Sequence, residues 1–170
     1  ISINLVVYNG EKYIRQCLDS VFSQSYPHEN VEINILDNSS TDNTREIVKS
    51  LEFRISDFGF AKFFPLYSGK NLGMWPGQEE LLKHTLGKYI IALSVDVVLH
   101  PDFLKNIVEI MEHDEKIGAL QAKVYKYDLT KLPITNYQLP TTTIDTLGCK
   151  IFRSRRIVNI GHGETDNGQY

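Results

Sequence analysis

Short strand-like runs that alternate with helix-period runs, joined by tight turns, constrain this chain more than any other feature. Ile3 to Tyr8 is rich in β-formers and stops at Asn9-Gly10, a turn signal. Tyr13, Ile14, Cys17, Leu18, Val21 and Phe22 then recur on one helical face, closed by Tyr26-Pro27. Val31 to Leu36 predicts a second strand. It runs into Asp37-Asn38-Ser39-Ser40-Thr41-Asp42-Asn43-Thr44, a loop dense in turn and N-cap residues, and a short helix follows to about Leu51. Phe63 to Tyr67 reads as a third strand, with Pro65 placing it at an edge. The loop from Ser68 to Gly73 leads to a helix over Gly77 to Leu86, ended by Gly87. Tyr89 to Leu93, apolar on both faces, is expected as a central parallel strand, and Asp102 to His113 as a helix with Pro101 near its start. This order of elements implies βαβ units and a largely parallel sheet. Past Gly118 the pattern changes. Ala119 to Tyr127 and Ile144 to Arg153 read as strands with no clear helix between them, so this part is expected to be antiparallel or mixed.

Composition excludes several classes. At 170 residues, 42% hydrophobic and 23% charged, the chain can bury a core without disulfides. A net charge of −3 excludes the strong basic field of a general nucleic-acid binder. Cys17 and Cys149 are too few for a disulfide framework and lack zinc spacing, which fits a reducing compartment. No apolar run reaches the roughly 18 residues that span a bilayer. The chain opens directly on a strand-like run without an initiator Met, and is expected to be a piece of a longer protein.

In open parallel sheets, ligands bind where loops leave the carboxyl ends of the strands. Three such loops are polar here: Tyr8-Asn9-Gly10-Glu11, Asp37-Asn38 with Ser40, and Ser94-Val95-Asp96. Asp96, at the end of a buried strand, has the chemistry to ligate Mg²⁺ or Mn²⁺ through one carboxylate, with substrate phosphates completing the shell. The plainer alternative is that it ends the strand or caps the helix region near Pro101. Asp37 has the chemistry to accept hydrogen bonds from a base or ribose; Asp-Asn-Ser-Ser is also an ordinary capping loop. A dinucleotide-binding oxidoreductase would need GxGxxG after the first strand, and Asn9-Gly10-Glu11-Lys12 lacks it.

Four elements in series carry a resemblance. Val6-Val7-Tyr8-Asn9-Gly10 with Tyr13-Ile14, Cys17-Leu18-Asp19-Ser20-Val21 and Gln24-Ser25-Tyr26 resembles the opening of family 2 glycosyltransferases. Ile35 to Thr44 is similar to their second signature loop, Asn71-Leu72-Gly73 to a third, and Ser94 to Leu104 to the segment around their metal-binding Asp-x-Asp motif. The nearest flavour is the rhamnosyltransferase-like branch. The likeness is good over Ile1 to Phe103 and looser beyond Gly118, where Gly161-His162-Gly163 and Asp166 to Tyr170 resemble a loop of that branch. The resemblance implies an α/β GT-A (nucleotide-diphospho-sugar transferase) fold: a mostly parallel Rossmann-like sheet flanked by helices, with a mixed C-terminal part. It also implies one domain over 1–170, with 1–103 the donor-binding half and 104–170 the start of an incomplete acceptor half.

By the same resemblance, Tyr8, Asn9 and Glu11 lie beside the nucleotide, and Asp37 holds the edge of a uracil or thymine ring. Asn38 and Ser40 share that loop, Asn71 and Gly73 lie near the ribose or diphosphate, and Ser94, Val95 and Asp96 face the diphosphate, with Asp96 on the metal. Ser94 stands where the motif has its first Asp, so the hold on the metal is expected to be weaker. The implied reaction moves a hexosyl or deoxyhexosyl unit from a UDP- or dTDP-sugar to a glycan or lipid-linked acceptor, with inversion, in polysaccharide biosynthesis. The catalytic base is expected beyond Tyr170. The implied setting is cytoplasmic, with peripheral membrane association through parts outside this chain compatible with it. The alternative is an inactive nucleotide- or sugar-binding module of the same fold.

Other conspicuous residues have plainer readings. The five histidines are scattered without metal spacing, with His162 alone a candidate for the acceptor side. Trp75 has the chemistry to stack on a sugar, and more often such a residue anchors a loop on the core. Arg153, Arg155 and Arg156 have the reach for phosphates, or form a solvated strand end. Cys17, on an apolar helix face, is expected to fill the core.

Overall fold

The computed structural model describes residues 1–128 and 141–170, and only the backbone at positions 53, 54 and 56. The described chain forms two compact units, Ile1–Glu109 and Ile110–Tyr170.

The first unit is built on four parallel strands: β1 (Ser2–Val7), β2 (Glu32–Asp37), β3 (Lys62–Tyr67) and β4 (Ile90–Leu93), in the order β3-β2-β1-β4. Pairing is in phase, so that Ser2, Asn4 and Val6 sit opposite Glu32, Asn34 and Leu36. On one face Ile3, Leu5, Val7, Ile33 and Ile35 join a dry core. Over it lie α1 (Ile14–Phe22), through Ile14, Cys17, Leu18 and Val21, and α2 (Thr44–Ile55), through Ile47, Val48 and Leu51. The spacing of these apolar positions is why the segments are helical. On the other face Val6 and Leu36 pack on Leu81 of α3 (Met74–Leu82). Both faces of β1 and β2 are therefore buried, as parallel sheets require.

The strand alternation that would ordinarily mean one wet face conceals a buried polar ladder. Ser2 Oγ donates to Glu32 Oε1 at 2.5 Å, Asn34 Nδ2 to Asn4 Oδ1 at 3.0 Å, and Asn4 Nδ2 to Thr85 Oγ1 at 3.0 Å. The Leu86 amide donates to Glu32 Oε1 at 2.6 Å and the Gly87 amide to Ser2 Oγ at 2.8 Å. Burial pushes the Glu32 carboxyl up, but these donors together outweigh it and hold the group below its ordinary range. The ladder clamps the turn between α3 and β4 onto the sheet.

Three sequence expectations are corrected. The third helix starts at Met74 and ends at Leu82, not over Gly77 to Leu86, since Pro76 is tolerated in a first turn. Gly87 is not its terminating residue; a Cβ there would lie 2.7 Å from backbone atoms of Ile1 and Ser2, so only glycine lets this turn press on β1. The strand expected at the centre, β4, is an edge strand among the described residues, with Ile90 about half exposed. Ile90 and Ala92, on one face of β4, are both exposed, so apolar residues on both faces did not make this a central strand. The Pro65 edge assignment holds, because β3 ends the sheet on the other side. The second helix runs to Ile55, a turn further than Leu51.

The last helix, α4 (Phe103–His113), sends Leu104 into the dry core. The second unit holds two small antiparallel pairs, β5 (Val124–Tyr125) with β6 (Ile144–Thr146) and β7 (Cys149–Ile151) with β8 (Ile157–Asn159). The antiparallel expectation holds for these pairs; β8 was missed, and the expected absence of a helix before Ile144 falls largely on 129–140, outside the described residues. Ile144 is fully buried, and Asp166 ties the unit together by accepting hydrogen bonds from Lys123 Nζ at 2.8 Å, Tyr125 Oη and the Gly168 amide. The Lys123 and Tyr125 donors pull the Asp166 carboxyl down to about 2, and that carboxylate in turn pushes Tyr125 up to about 12.

Gly87→Ala should cost roughly 1–3 kcal/mol by overpacking, read as a lower denaturant midpoint; an unshifted midpoint would remove the contact's importance. Tyr125 has a raised pKa, so its contribution to stability is whole below pH 10.0 and lost as pH rises through about 12. Asp166 has the opposite sign, contributing above pH 3.8 and losing it as pH falls through about 2. Ultraviolet titration of tyrosinate should find Tyr125 among the late-titrating tyrosines, and Asp166→Asn should return it toward the ordinary range.

Candidate functional site

The parallel sheet sends four loops off its carboxyl edge, and named contacts join them in a row. After β1, the Asn9 amide donates to Ser40 Oγ at 2.9 Å and the Gly10 amide to Thr44 Oγ1 at 2.8 Å. Asn9 Oδ1 accepts from the Thr41 amide at 2.8 Å, and Glu11 Oε2 and Oε1 accept from the Asn43 amide and side chain at 3.0 and 2.8 Å. Asn9 takes a φ of 52°, a left-handed turn that Asn tolerates better than most residues. Asp42 receives the Glu11 amide and the Thr44 amide. Burial raises its carboxyl, but these hydrogen bonds prevail and lower it. The first and second loops are thus stitched side by side.

Asn38 extends the row. Its Oδ1 accepts the Leu72 amide at 2.8 Å, and its Nδ2 donates to Asn71 Oδ1 at 3.0 Å and the Gly73 carbonyl at 3.3 Å. One buried amide therefore shapes the third loop. On the other side of β1, a Cβ on Gly10 would come within 3.1 Å of Val95 Cγ2, so the loop after β4 packs directly on the loop after β1. Ser94 Oγ donates to Asp96 Oδ1, and the Asp96 carboxylate is exposed. Tyr8, which opens the loop after β1, is half exposed.

Asp37 departs from expectation. Its carboxylate is fully buried: Oδ1 accepts the Ser40 amide at 3.0 Å and Oδ2 accepts Arg45 Nε at 2.9 Å. In-phase pairing with Val7 aims this residue at the helical layer, where α2 presents Arg45. Asp37 is therefore sealed beneath Arg45 in this structure. The expected contact of Asp37 with the edge of a uracil or thymine ring is not open here. Asp37 ends β2 and Asp96 follows β4, the two strands that flank β1, but only Asp96 is open. Likewise Asn9 and Glu11 use their side-chain oxygens on the neighbouring loop.

Arg45 was missed in the sequence. Its side chain is 40% exposed, and its guanidinium lies 5.1 Å from the Tyr67 ring centroid. Nothing in the sequence beyond an Asp eight residues before an Arg in the first turn of a helix pointed to it. Trp75, expected as a core anchor, is 74% exposed instead. Cys17 is buried as expected, with its thiol pushed up to about 12 by burial and then by the Asp96 charge, so it is no nucleophile. An open cleft of about 480 Å³ lies along the third loop between Leu36, Leu66, Tyr67, Lys70, Leu72 and Glu80; Asp96 is not part of it.

Among the described residues no three His, Cys, Asp or Glu side chains gather into a metal centre. A lone exposed carboxylate still suits a hard divalent cation that keeps water and takes its remaining oxygens from a diphosphate.

Replacing Arg45 by Ala would strand a buried carboxylate. We expect a loss of about 2 kcal/mol, below the 3–5 typical of fully buried pairs because Arg45 is part-exposed. Adding Asp37→Asn to that variant should recover part of the loss in chemical denaturation; strict additivity would disprove the coupling.

The pattern of glycosyl transferase family 2 matches residues 2–166. A dolichyl N-acetyl-alpha-D-glucosaminyl phosphate 3-beta-D-2,3-diacetamido-2,3-dideoxy-beta-D-glucuronosyltransferase from Methanococcus voltae is 34% identical over 116 residues, 68% of this chain and 35% of that protein. The mannosyltransferase PcManGT from Pyrobaculum calidifontis, solved with GDP-Man and Mn²⁺, superposes with a TM-score of 0.67 at 23% identity, over 74% of this chain and 35% of that one. S. aureus TarS 1-349 in complex with UDP-GlcNAc gives 0.59 at 21% identity, over 74% and 38%. These superpositions identify the GT-A fold, and the chain spans about a third of the length of the Methanococcus relative. The rhamnosyltransferase-like branch is not singled out by these likenesses. With the four-loop edge described above and the match over residues 2–166, this chain belongs to glycosyl transferase family 2.

Proposed function

We propose that this chain carries the donor-binding part of a glycosyltransferase that uses a UDP- or dTDP-sugar. The acceptor would be the hydroxyl of a glycan or lipid-linked molecule, in polysaccharide biosynthesis. The observation that carries the reading is Asp96: an exposed carboxylate, oriented by Ser94 and packed beside the β1 loop through Val95 and Gly10, at the carboxyl edge of the sheet. In the transfer, the acceptor oxygen bonds to the anomeric carbon as the bond to the diphosphate breaks, and the acceptor's proton passes to a base. That base is proposed to lie outside residues 1–170, and the transfer to invert the anomeric carbon.

Asp96 would hold Mg²⁺ or Mn²⁺. When bound, the ion supplies neutralisation of the charge that gathers on the leaving diphosphate. The chain's own residues do the rest of the donor binding. Tyr8 offers an aromatic face beside Asn9, and Asn9 and Glu11 keep the second loop against the first. Asn38 holds Asn71 and Gly73 so that the third loop can meet the ribose or diphosphate, and Ser40 fixes Asp37 while Arg45 presents its remaining N–H groups at the edge. Neighbours of this fold are solved with GDP-Man and with UDP-GlcNAc, so both pyrimidine and purine donors fit the architecture. Two free cysteines are in keeping with a cytoplasmic setting, and no described helix is long and apolar enough to cross a membrane.

Ser94 in place of a second carboxylate, together with the closed Asp37, favours one rival: a module that binds the nucleotide sugar without turning it over. Calorimetric titration with UDP tests the site itself. Binding should need Mn²⁺ or Mg²⁺, and Asp96→Ala should weaken it tenfold or more. Equal affinity without metal, or an unaffected Asp96→Ala, would overturn the reading; metal-dependent binding without sugar transfer in the full-length protein would favour the module.

A further inference from the structure

The second unit carries a hairpin that the donor site does not use. Strands β7 and β8 pair Cys149 with Asn159, Lys150 with Val158 and Ile151 with Ile157. Because side chains alternate along a strand, Ile151 and Ile157 share one face, while Lys150 and Phe152 share the other, with Lys150 Nζ 5.3 Å from the Phe152 ring centroid. The turn between them is Arg153-Ser154-Arg155, followed by Arg156, and it closes by hydrogen bonds from the Arg155 amide to the Phe152 carbonyl at 2.8 Å and from the Phe152 amide to the Arg156 carbonyl at 2.9 Å. Ile151 is 72% exposed, Ile157 63% and Phe152 42%. Three large apolar side chains in water on a two-stranded hairpin are costly unless something covers them.

Charge identifies what covers them. From Cys149 to Asn159 there are four cations, Lys150, Arg153, Arg155 and Arg156, and no acid, in a chain whose net charge is −3. Neighbouring carboxylates are committed elsewhere: Asp166 to Lys123 and Tyr125, Glu164 to Tyr170, and Asp145 near His162. Among the described residues none pairs with the four cations. Guanidiniums at the end of a face that exposes Ile151 and Ile157 suit a surface with phosphates outside and hydrocarbon beneath when the hairpin lies along it, since arginine binds phosphate bidentately and apolar side chains enter the acyl boundary. A soluble polyanion would match the charge and leave the isoleucines in water.

We propose that the β7–β8 hairpin lies along an anionic lipid surface, its arginines on headgroup phosphates and the face that carries Ile151 and Ile157 in the interface. This inference does not depend on the donor site, and the late titration of Tyr125, in the hairpin's own unit, checks that each variant remains folded. The test is flotation of the full chain with vesicles of phosphatidylcholine alone and of phosphatidylcholine mixed with phosphatidylglycerol. The chain should float with the mixed vesicles only, and added salt should release it. Arg153→Gln, Arg155→Gln and Arg156→Gln together should lower partitioning roughly a hundredfold, and Ile151→Ser with Ile157→Ser roughly tenfold or more. Lys49→Gln, Lys83→Gln and Lys105→Gln remove equal charge from the first unit and should change little. The proposal falls if the native chain ignores anionic vesicles, if the hairpin variants float as well as the native chain, or if the lysine variant loses as much. Release by free phosphate at constant ionic strength, or capture by RNA in place of vesicles, would also overturn it.

Discussion

In-phase parallel pairing of β1 with both β2 and β4 is the constraint on which the rest of the first unit depends. It aligns the carboxyl ends of three strands, so that the loops after them leave one edge at one height. Parallel strands cannot be joined by tight hairpins, so helices must cross over, and the crossovers bury both faces of β1 and β2. Burial of both faces then forces every polar side chain on those strands to find a partner. Ser2, Asn4, Glu32 and Asn34 form one ladder, and Asp37 finds Arg45 and the Ser40 amide.

That requirement also explains the character of the site. Most of its polar side chains are turned to each other: Asn9 and Glu11 to the second loop, Asn38 to the third, Asp37 to α2. A rigid edge results, on which few groups are left open toward a ligand. Preorganisation of this kind limits what binding must order. Asp96, which lies past the end of β4, is exposed. The hairpin of the second unit stands at the other extreme, with nearly every side chain in solvent and charge of one sign.

Much of the fold was legible from residue order. The period of Ile14, Cys17, Leu18 and Val21, the turn residues at Asn9-Gly10 and the proline at position 65 each report a local preference that the tertiary structure leaves in force. The loops that build the site were legible for the same reason, since strand ends are visible in sequence. What could not be read was direction. Whether Asp37 faces a ligand or a helix depends on which side of the sheet its register selects, and a slip of one residue reverses the answer. Arg45 was invisible because its partner is brought to it by the crossover, and Gly87 looked like a helix end because its close approach to Ile1 and Ser2 spans most of the unit.

By itself, then, the order of residues determined the alternating elements, the parallel sheet, the loops at its carboxyl edge and the family to which they belong, because hydrophobic period and turn chemistry act over a few neighbouring residues. Only the tertiary structure decided that Asp37 is sealed beneath Arg45, that β4 stands at an edge among the described residues, and that one strand face hides a polar ladder. The ladder depends on partners 30 to 81 residues away in the chain, such as Glu32 for Ser2 and Thr85 for Asn4, Asp37 on the direction its register gives it, and both on the cost of burying a charge or amide without a partner.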